Sequence, residues 1–154
     1  MTQNPLGLVL PHIEYRAITD IDAVVGQILA IDLTTPDAVD QHILSHVGDV
    51  PGTITDTDGL LYVVALEDAL ADSELRVCAA SGNVPALIGT ASISPGDLLC
   101  VGATGQLRSA VTGTLAGETQ KIIGIALTAE IAAGVHTVAF SGINPFGISA
   151  VETP

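Results

Sequence analysis

The sequence predicts a mainly β protein, and three observations support this fold class. Val-, Ile- and Leu-rich runs of about six residues are bounded by Gly, Pro, Asp, Asn and Thr, a pattern typical of strands and turns. Of the 154 residues, 48% are hydrophobic but only 3% are aromatic, so the core must consist of small aliphatic side chains. The same order of runs also occurs twice. We therefore expect small β-barrel or β-sandwich units, internally duplicated, with an extended N-terminal arm.

The duplication consists of sequence blocks that recur in one order. The matching pairs are GQILAID (26–32) with GDLLCVG (96–102), HILSHV (42–47) with QLRSAV (106–111), and VVALEDALADSELRVCAASG (63–82) with GIALTAEIAAGVHTVAFSG (124–142), the last with one extra residue in the earlier copy. The predicted strands are 27–33, 42–47, 60–66 and 75–81 in the first copy and 97–102, 106–111, 121–127 and 135–141 in the second. We expect a first β-unit at 23–82, a linker at 83–95 and a second β-unit at 96–142.

The two ends of the chain have no counterpart in the duplication. We predict that residues 1–22 form an extended arm and residues 143–154 a tail. The arm candidates are Pro5, Leu6, Leu8, Leu10, Ile13 and Tyr15. Alternating leucines suit a segment that adds to the edge of another sheet, but the same stretch can also be an edge strand of its own barrel. The tail can cover an open sheet edge or cross to a neighbouring chain.

Glycines mark the predicted turns. Gly26 and Gly96 begin equivalent blocks of the two copies, and GATGQ (102–106) predicts a hairpin turn. Glycine tolerates positive φ, so Gly102 and Gly105 suit such a turn. We assign structural turns to all four glycines.

One segment gives two conflicting predictions. TPDAVDQHILSHVG (35–48) has Thr35 as a helix N-cap, Pro36 at the first helical position and Gly48 at its end, which favours a helix. The alignment with the second copy instead predicts a strand. We favour the strand because the duplication links several separate blocks.

The charge distribution restricts the classes of partner. The net charge is −13, and the strong bases are Arg16, Arg76, Arg108 and Lys121. Nucleic-acid binding requires clustered Lys and Arg, so we expect none. Ten acidic residues and no Lys or Arg lie between positions 32 and 74, which indicates a solvated acidic face, or alternatively a site for a cation or a basic partner. Many aliphatic residues beside few aromatic ones also indicate apolar surface that sister chains cover.

Neither a membrane span nor a disulfide framework is predicted. The most hydropathic window, 122–140, is interrupted by Glu130 and His136 and alternates as a strand does, so we expect no membrane partner. No basic segment precedes an apolar one at the start, so we expect no signal peptide. Cys78 and Cys100 lie in apolar runs, which indicates buried thiols in a reducing compartment.

The candidate chemical motifs are incomplete. His42, His46 and Asp49 resemble a metal site only if the segment is helical, because two imidazoles four residues apart on a strand stand ~13 Å apart. DTDG (56–59) resembles part of a calcium loop, but apolar residues occupy the first and last ligand positions of such a loop. The sequence contains no phosphate-binding glycine loop and no nucleophile elbow. We therefore expect no enzyme, no cofactor and no metal.

The second copy resembles a known family of proteins. The likeness lies in SPGDLLCVGATGQLRSAVTGTLAGETQKIIGIALTAEIAAGVHTVAFSG (94–142), which contains a GDLL entry into a strand, a glycine-centred hairpin before QLRSAV, the strand IIGIAL and the closing strand GVHTVAFSG. This pattern resembles the head decoration, or capsid cement, proteins of tailed bacteriophages.

The resemblance implies a structural protein without an active site or cofactor. Such proteins assemble as a homotrimer on the outside of the expanded head, at three-fold or quasi-three-fold positions, and stabilise it. The implied partners are the major capsid protein and other copies of this chain, not nucleic acid or a membrane. An N-terminal arm often becomes ordered on the shell in such families, a role that falls here on residues 5–15. The implied location is the outer capsid surface of the virion, after synthesis in the host cytoplasm.

A non-catalytic β-sandwich module for ligand binding or adhesion is the alternative function. Such a module needs an exposed aromatic platform, and the aromatic residues of the chain are Tyr15, Tyr62, Phe140 and Phe146. Two of them lie in predicted strands, where we expect them to belong to the core. A hydrolase or metal enzyme is a third hypothesis, which analysis of bound metal tests.

Overall fold

The computed structural model describes residues 13–32, 45–49, 61–80, 82–89, 93–102, 105–110, 119–129, 133–142 and 147–150. These ranges contain strands and no α-helix, so the predicted mainly β fold is confirmed. The strands are β1 (Ile13–Thr19), β2 (Ile28–Asp32), β3 (Ser45–Gly48), β4 (Tyr62–Ala65), β5 (Ser73–Ala80), β6 (Gly82–Ile88), β7 (Leu98–Val101), β8 (Leu107–Ser109), β9 (Thr119–Ala126), β10 (Gly134–Phe140) and β11 (Gly147–Ala150).

The first five strands form a closed barrel in the order β1-β3-β2-β4-β5. β1 runs parallel to β3, with Ala17 opposite Ser45, and all the other pairs are antiparallel. The barrel closes through β1 and β5, which pair along nearly their whole length. The first and last strands of this unit are therefore neighbours.

The second sheet repeats this arrangement with the next five strands. Its order is β10-β6-β8-β7-β9-β11, and β9 also pairs with β10, which closes a ring of five strands. β6 runs parallel to β8, as β1 does to β3. β11 has no counterpart in the first barrel and adds to β9 in antiparallel fashion. The duplication inferred from the sequence is therefore a duplicated ring of five strands.

The extra residue in the first copy is a β-bulge. Ile13 pairs with Ala80 and Glu14 pairs with Cys78, so Ala79 is the additional residue on β5. A bulge inserts one residue into one strand of a pair without ending the pairing. The second copy has a bulge of its own at a different place, where Ile123 of β9 is passed over between the partners of Leu99 and Cys100.

The first strand of each ring was not predicted as part of its unit. β1 lies inside the predicted arm (1–22), and β6 lies almost wholly inside the predicted linker (83–95). Pro85 makes the β6 sequence resemble a loop, but alternate residues of β6 are buried and the strand pairs with β10 throughout. In the described sheet, β6 pairs with β8 only at Ile88, and proline is tolerated at such weakly paired edges. The second unit therefore begins earlier than predicted.

The register of one predicted block match also needs correction. The alignment of HILSHV with QLRSAV placed Val47 over Val111, but the structure pairs Val47 with Ile31 and Leu107 with Val101. Because Ile31 and Val101 are equivalent, Val47 corresponds to Leu107. Short apolar runs contain too few distinct residues to fix a register. Residues 45–48 are a strand, as the duplication predicts, and residues 33–44 lie outside the described ranges.

One hydrophobic cluster fills the first barrel, and a second one joins the two units. The barrel core lies inside the first barrel and comprises Ala17, Ala23, Leu29, Ile31, Val47, Val63, Ala65, Leu75, Val77 and Ala79. The shared core combines Ile28, Ala30, Tyr62, Val64 and Cys78 of the first barrel with Val84, Ala86, Ile88, Ile93, Leu99, Val101, Leu107, Ile123, Ala126, Val138 and Phe140 of the second unit. β2 and β4 thus bury one face in each cluster, which explains why their residues are apolar without alternation.

Candidate interaction surface

The arm candidates divide into two groups. Pro5, Leu6, Leu8 and Leu10 lie outside the described residues. Ile13 and Tyr15 lie in β1, where Tyr15 pairs with Val77 and packs against the barrel core. Burial raises the pKa of the Tyr15 phenol above its usual 10.0, and the neighbouring Cys78 thiol raises it further. Tyr15 is therefore part of the first barrel.

Gly26 lies in a tight turn that leads into β2. Its φ is +87°, and the Gln27 amide donates a hydrogen bond of 3.0 Å to the Val24 carbonyl. Positive φ at the third position is the feature of a type II turn that favours glycine. The Gln27 side chain accepts a second hydrogen bond of 3.1 Å from the Val24 amide, which holds the turn from both ends.

The second unit contains the same turn before β7. Gly96 has a φ of +92°, and the Asp97 amide donates 3.0 Å to the Ser94 carbonyl. The Asp97 carboxylate accepts 2.9 Å from the Ser94 amide, in the role that Gln27 has in the first copy. The two turns have one backbone design, with Val24–Val25 in the first copy where the second has Ser94–Pro95.

The predicted hairpin glycines have two different roles. Gly105 has a φ of +72°, and a Cβ there would lie 2.6 Å from the Ile28 carbonyl oxygen. Gly102 does not have positive φ, contrary to expectation; its amide donates 2.7 Å to the Gln106 carbonyl, and a Cβ would lie 3.3 Å from both that oxygen and Arg108 Cδ. Glycine at 102 therefore avoids a clash with Gln106 and Arg108. Glycine at 105 adopts the positive φ and also allows the hairpin to lie close to the first barrel.

Main-chain hydrogen bonds join the two units. The Leu87 amide donates 2.7 Å to the Gly26 carbonyl, the Tyr62 amide donates 3.2 Å to Gly142, and the Gly142 amide donates 3.1 Å to Ala79. A Cβ on Gly142 would collide with the Tyr62 carbonyl and would lie 2.8 Å from Phe140 Cζ. Gly142 was recognised in the sequence as the last residue of the second copy, but the pattern did not predict that it contacts the first unit.

Several exposed apolar side chains lie at this junction or on segments joined to it. Among the described residues, the large hydrophobic side chains that remain exposed are Val24 (53%), Val25 (37%), Leu70 (73%), Leu98 (46%) and Val135 (45%). We call Val24, Val25, Leu70 and Val135 the junction patch. Leu98 lies in β7 and is not part of it. Exposed apolar groups that cluster often mark interaction sites, whereas isolated ones need no explanation.

A ladder of charged side chains covers the outside of β1 and β5. Arg16 pairs with Glu74 at 3.0 Å, and Arg76 lies 3.7 Å from Glu14 and 3.3 Å from Glu67. The Arg76 backbone amide also donates 2.8 Å to Glu67, and these contacts lower the pKa of the Glu67 carboxyl below its usual 4.5. The ladder holds both strong bases of the first 100 residues. Exposed pairs of this kind are screened by solvent and contribute little to stability.

The remaining site candidates are the possible metal ligands and the aromatic side chains. The described residues contain no group of three or more His, Cys, Asp or Glu side chains that could hold a metal ion; His46 lies 2.7 Å from Asp20. His42 and the DTDG turn at 56–59 fall outside the described ranges, as does Phe146. Tyr62 and Phe140 are buried in the shared core, as predicted. Within the same ranges, no helix is long and apolar enough to cross a membrane.

A solved phage structure has a similar fold. The crystal structure of the head fiber gp8.5 N base in bacteriophage phi29 matches with a TM-score of 0.53 and 16% sequence identity, covering 87% of this chain and 98% of that chain. No protein-family model and no curated protein matches the sequence. At this identity the likeness establishes the fold that the two chains share, over almost the whole of the phage base.

Proposed function

We propose that this chain is a structural protein attached to the outside of a phage head, where it decorates the capsid and stabilises the expanded shell. The observation that carries the proposal is the fold shared with the phi29 head fiber base over 87% of this chain. The resemblance of residues 94–142 to head decoration proteins points in the same direction and depends on the sequence rather than on the fold.

The physical properties of the chain suit a non-catalytic role. A protein that binds only the expanded shell shifts the equilibrium toward that state by its binding free energy. Such a protein requires apolar contact surface, which the junction patch supplies, and no active site. A net charge of −13 keeps decorated particles from associating with one another.

Binding to heads tests this proposal directly. Heads from the phage that encodes this chain, produced without it, are mixed with the purified protein and sedimented. We expect saturable binding to expanded heads and much weaker binding to unexpanded ones. If the protein does not co-sediment with either kind of head, the proposal is wrong.

The oligomeric state and the arm are finer parts of the proposal. We propose a homotrimer at three-fold or quasi-three-fold positions, with the major capsid protein as partner. Analytical ultracentrifugation together with the copy number per head tests this.

We also propose that Pro5, Leu6, Leu8 and Leu10 contact the shell. Deletion of residues 1–12 removes the proposed contacts with the shell and should therefore weaken head binding. Because the deletion leaves β1 intact, it should not lower the melting temperature. Unchanged binding would exclude a role for the arm.

A further inference from the structure

The four side chains of the junction patch lie on segments that are tied to one another. Ala23 and Ala69 exchange two main-chain hydrogen bonds of 2.8 and 3.0 Å, which join the segment leading into the Val24–Val25 turn to the segment that contains Leu70. On the other side, the position of a Cβ on Gly26 lies 3.2 Å from Val135 Cγ1. The turn that carries Val24 and Val25 therefore meets β10 across the junction.

The fold itself does not require valines in this turn. The equivalent turn of the second unit has the same hydrogen bonds and the same positive φ with Ser94 and Pro95 in their place. Valine has no advantage at an exposed turn position, since Gly, Pro, Asn, Asp and Ser are the residues that stabilise turns. The turn geometry therefore does not explain the exposed valines of the first copy.

Carboxylates surround the part of the patch that belongs to the first barrel. Asp22 accepts 2.8 Å from the Ala71 amide, and Asp68 accepts 2.8 Å from the Val25 amide. Asp72 lies in the same connection, and all three carboxylates are exposed. No Lys or Arg occurs between positions 17 and 75, so this rim has negative charge that no basic side chain of the same segment neutralises.

We propose that the junction patch is the surface by which this protein docks on the capsid subunit, onto an apolar site bordered by Lys or Arg side chains. This inference rests on the proposed function. Charge complementarity selects the occupant: a second copy of this chain would bring two acidic rims together, and like charges in contact disfavour association. A site with an apolar centre and a basic rim would contact the apolar side chains of the patch and pair with the surrounding carboxylates.

The apolar part of the proposal is tested with the triple variant V24S/V25S/L70S, which changes exposed side chains and keeps every backbone amide. We expect its affinity for heads that lack this chain to fall at least tenfold, with an unchanged melting temperature. Leu98→Ser is the matched control, because it removes a similarly exposed leucine outside the patch. Its affinity should stay within twofold of wild type.

The charged part is tested with D22N/D68N/D72N. Asparagine keeps the side-chain oxygen that accepts the two backbone hydrogen bonds, and it tolerates the φ of +64° at Asp72. We expect weaker head binding and a smaller dependence of affinity on salt concentration than in wild type. If the serine variant does not fold, the proposal is tested with this asparagine variant alone.

The outcomes separate this inference from the proposed function. If wild type does not bind heads, both are wrong. If wild type binds and both variants bind equally well with the same salt dependence, the docking surface lies elsewhere and only this inference is overturned. If the serine variant loses self-association in ultracentrifugation but keeps full head binding, the occupant of the patch is a second copy of the chain, which also overturns it.

Discussion

The two units share one ring of five strands, yet equivalent positions have different surroundings. Ile28 and Leu98 occupy the same place in β2 and β7, but Ile28 is fully buried in the shared core and Leu98 is 46% exposed. The outer face of β2 is covered by the second unit, whereas in β7 the leucine at this place remains exposed. Burial at this position is therefore decided by the neighbouring unit and not by the ring itself.

The strands that close each ring differ in the same way. Glu14, Arg16, Glu74 and Arg76 form the charged ladder of the first barrel. By strand register, their counterparts are Asn83, Pro85, Val135 and Thr137. The second unit has thus exchanged a solvated ionic face for an uncharged one that includes part of the junction patch. A duplicated fold with two different surfaces can bind two different neighbours.

The largest expected effect is at the contact between the units. Gly142→Ala places a methyl group against the Tyr62 carbonyl and Phe140, so we expect a loss of about 4 kcal/mol in the free energy of unfolding. Urea denaturation measures it. A loss below about 1 kcal/mol would show that the backbone near Gly142 and Tyr62 can shift to accommodate the methyl group.

Substitution of the equivalent pair in β2 and β7 sharpens the comparison of burial. Ile28→Ala removes a fully buried side chain from the shared core and should cost about 3 kcal/mol. Leu98→Ala changes an exposed residue and should stay within about 0.5 kcal/mol of wild type. Thermal unfolding of the two variants side by side gives the difference. Equal costs would contradict the asymmetry of the two faces.

The two turn glycines separate backbone strain from packing. Gly96→Ala meets nothing within 4 Å, so its cost of about 1–2 kcal/mol reflects positive φ alone. Gly26→Ala has the same strain and also approaches the Leu87 amide and Val135 at 3.2 Å, which should add about 1 kcal/mol. If denaturation gives equal losses for both variants, the contact between the turn and β6 is loose.

The smallest effect concerns Glu67, whose counterpart in the second unit is Thr128. Because Arg76 lowers the pKa of Glu67 in the folded protein, the unfolded state binds the proton more readily, and the stabilisation is present above pH 4.5 and lost as the pH falls through the lowered pKa. Glu67→Gln should therefore be slightly less stable than wild type at pH 7, and the difference should shrink below pH 4.5. Urea denaturation over a pH series tests this; a difference independent of pH would contradict it.

Sequence patterns predicted the last four strands of each ring but not the first strand, β1 or β6. The eight predicted runs correspond to β2–β5 and β7–β10, since each is an aliphatic stretch between turn residues. β6 was missed because Pro85 and Asn83 suggest a loop, although Val84 and Ala86 alternate as a strand requires. The alignment showed that the first copy has one extra residue but not where it lies, and the structure places it in the bulge at Ala79. The register of β3 was wrong because four residues contain too little pattern.

Sequence patterns did not predict the junction patch. Val24 and Val25 look like the start of a buried strand, and only the turn at Gly26 shows that they are exposed. Val24 and Val135 are 111 positions apart in the chain, and the turn at Gly26 meets β10 because the two units pack together. Exposure at a junction depends on tertiary contacts, which local sequence patterns do not reveal.

The pairing of β1 with β5 also determines the order in which the chain folds on the ribosome. The barrel needs Ser73–Ala80 to close onto Ile13–Thr19, so the first unit is incomplete until Ala80 has been synthesised. From then until β10 emerges, Ile28, Tyr62 and Val64 have no second unit to cover them. During translation the nascent chain therefore presents an uncovered apolar face, and this interval is when aggregation and chaperone binding are favoured.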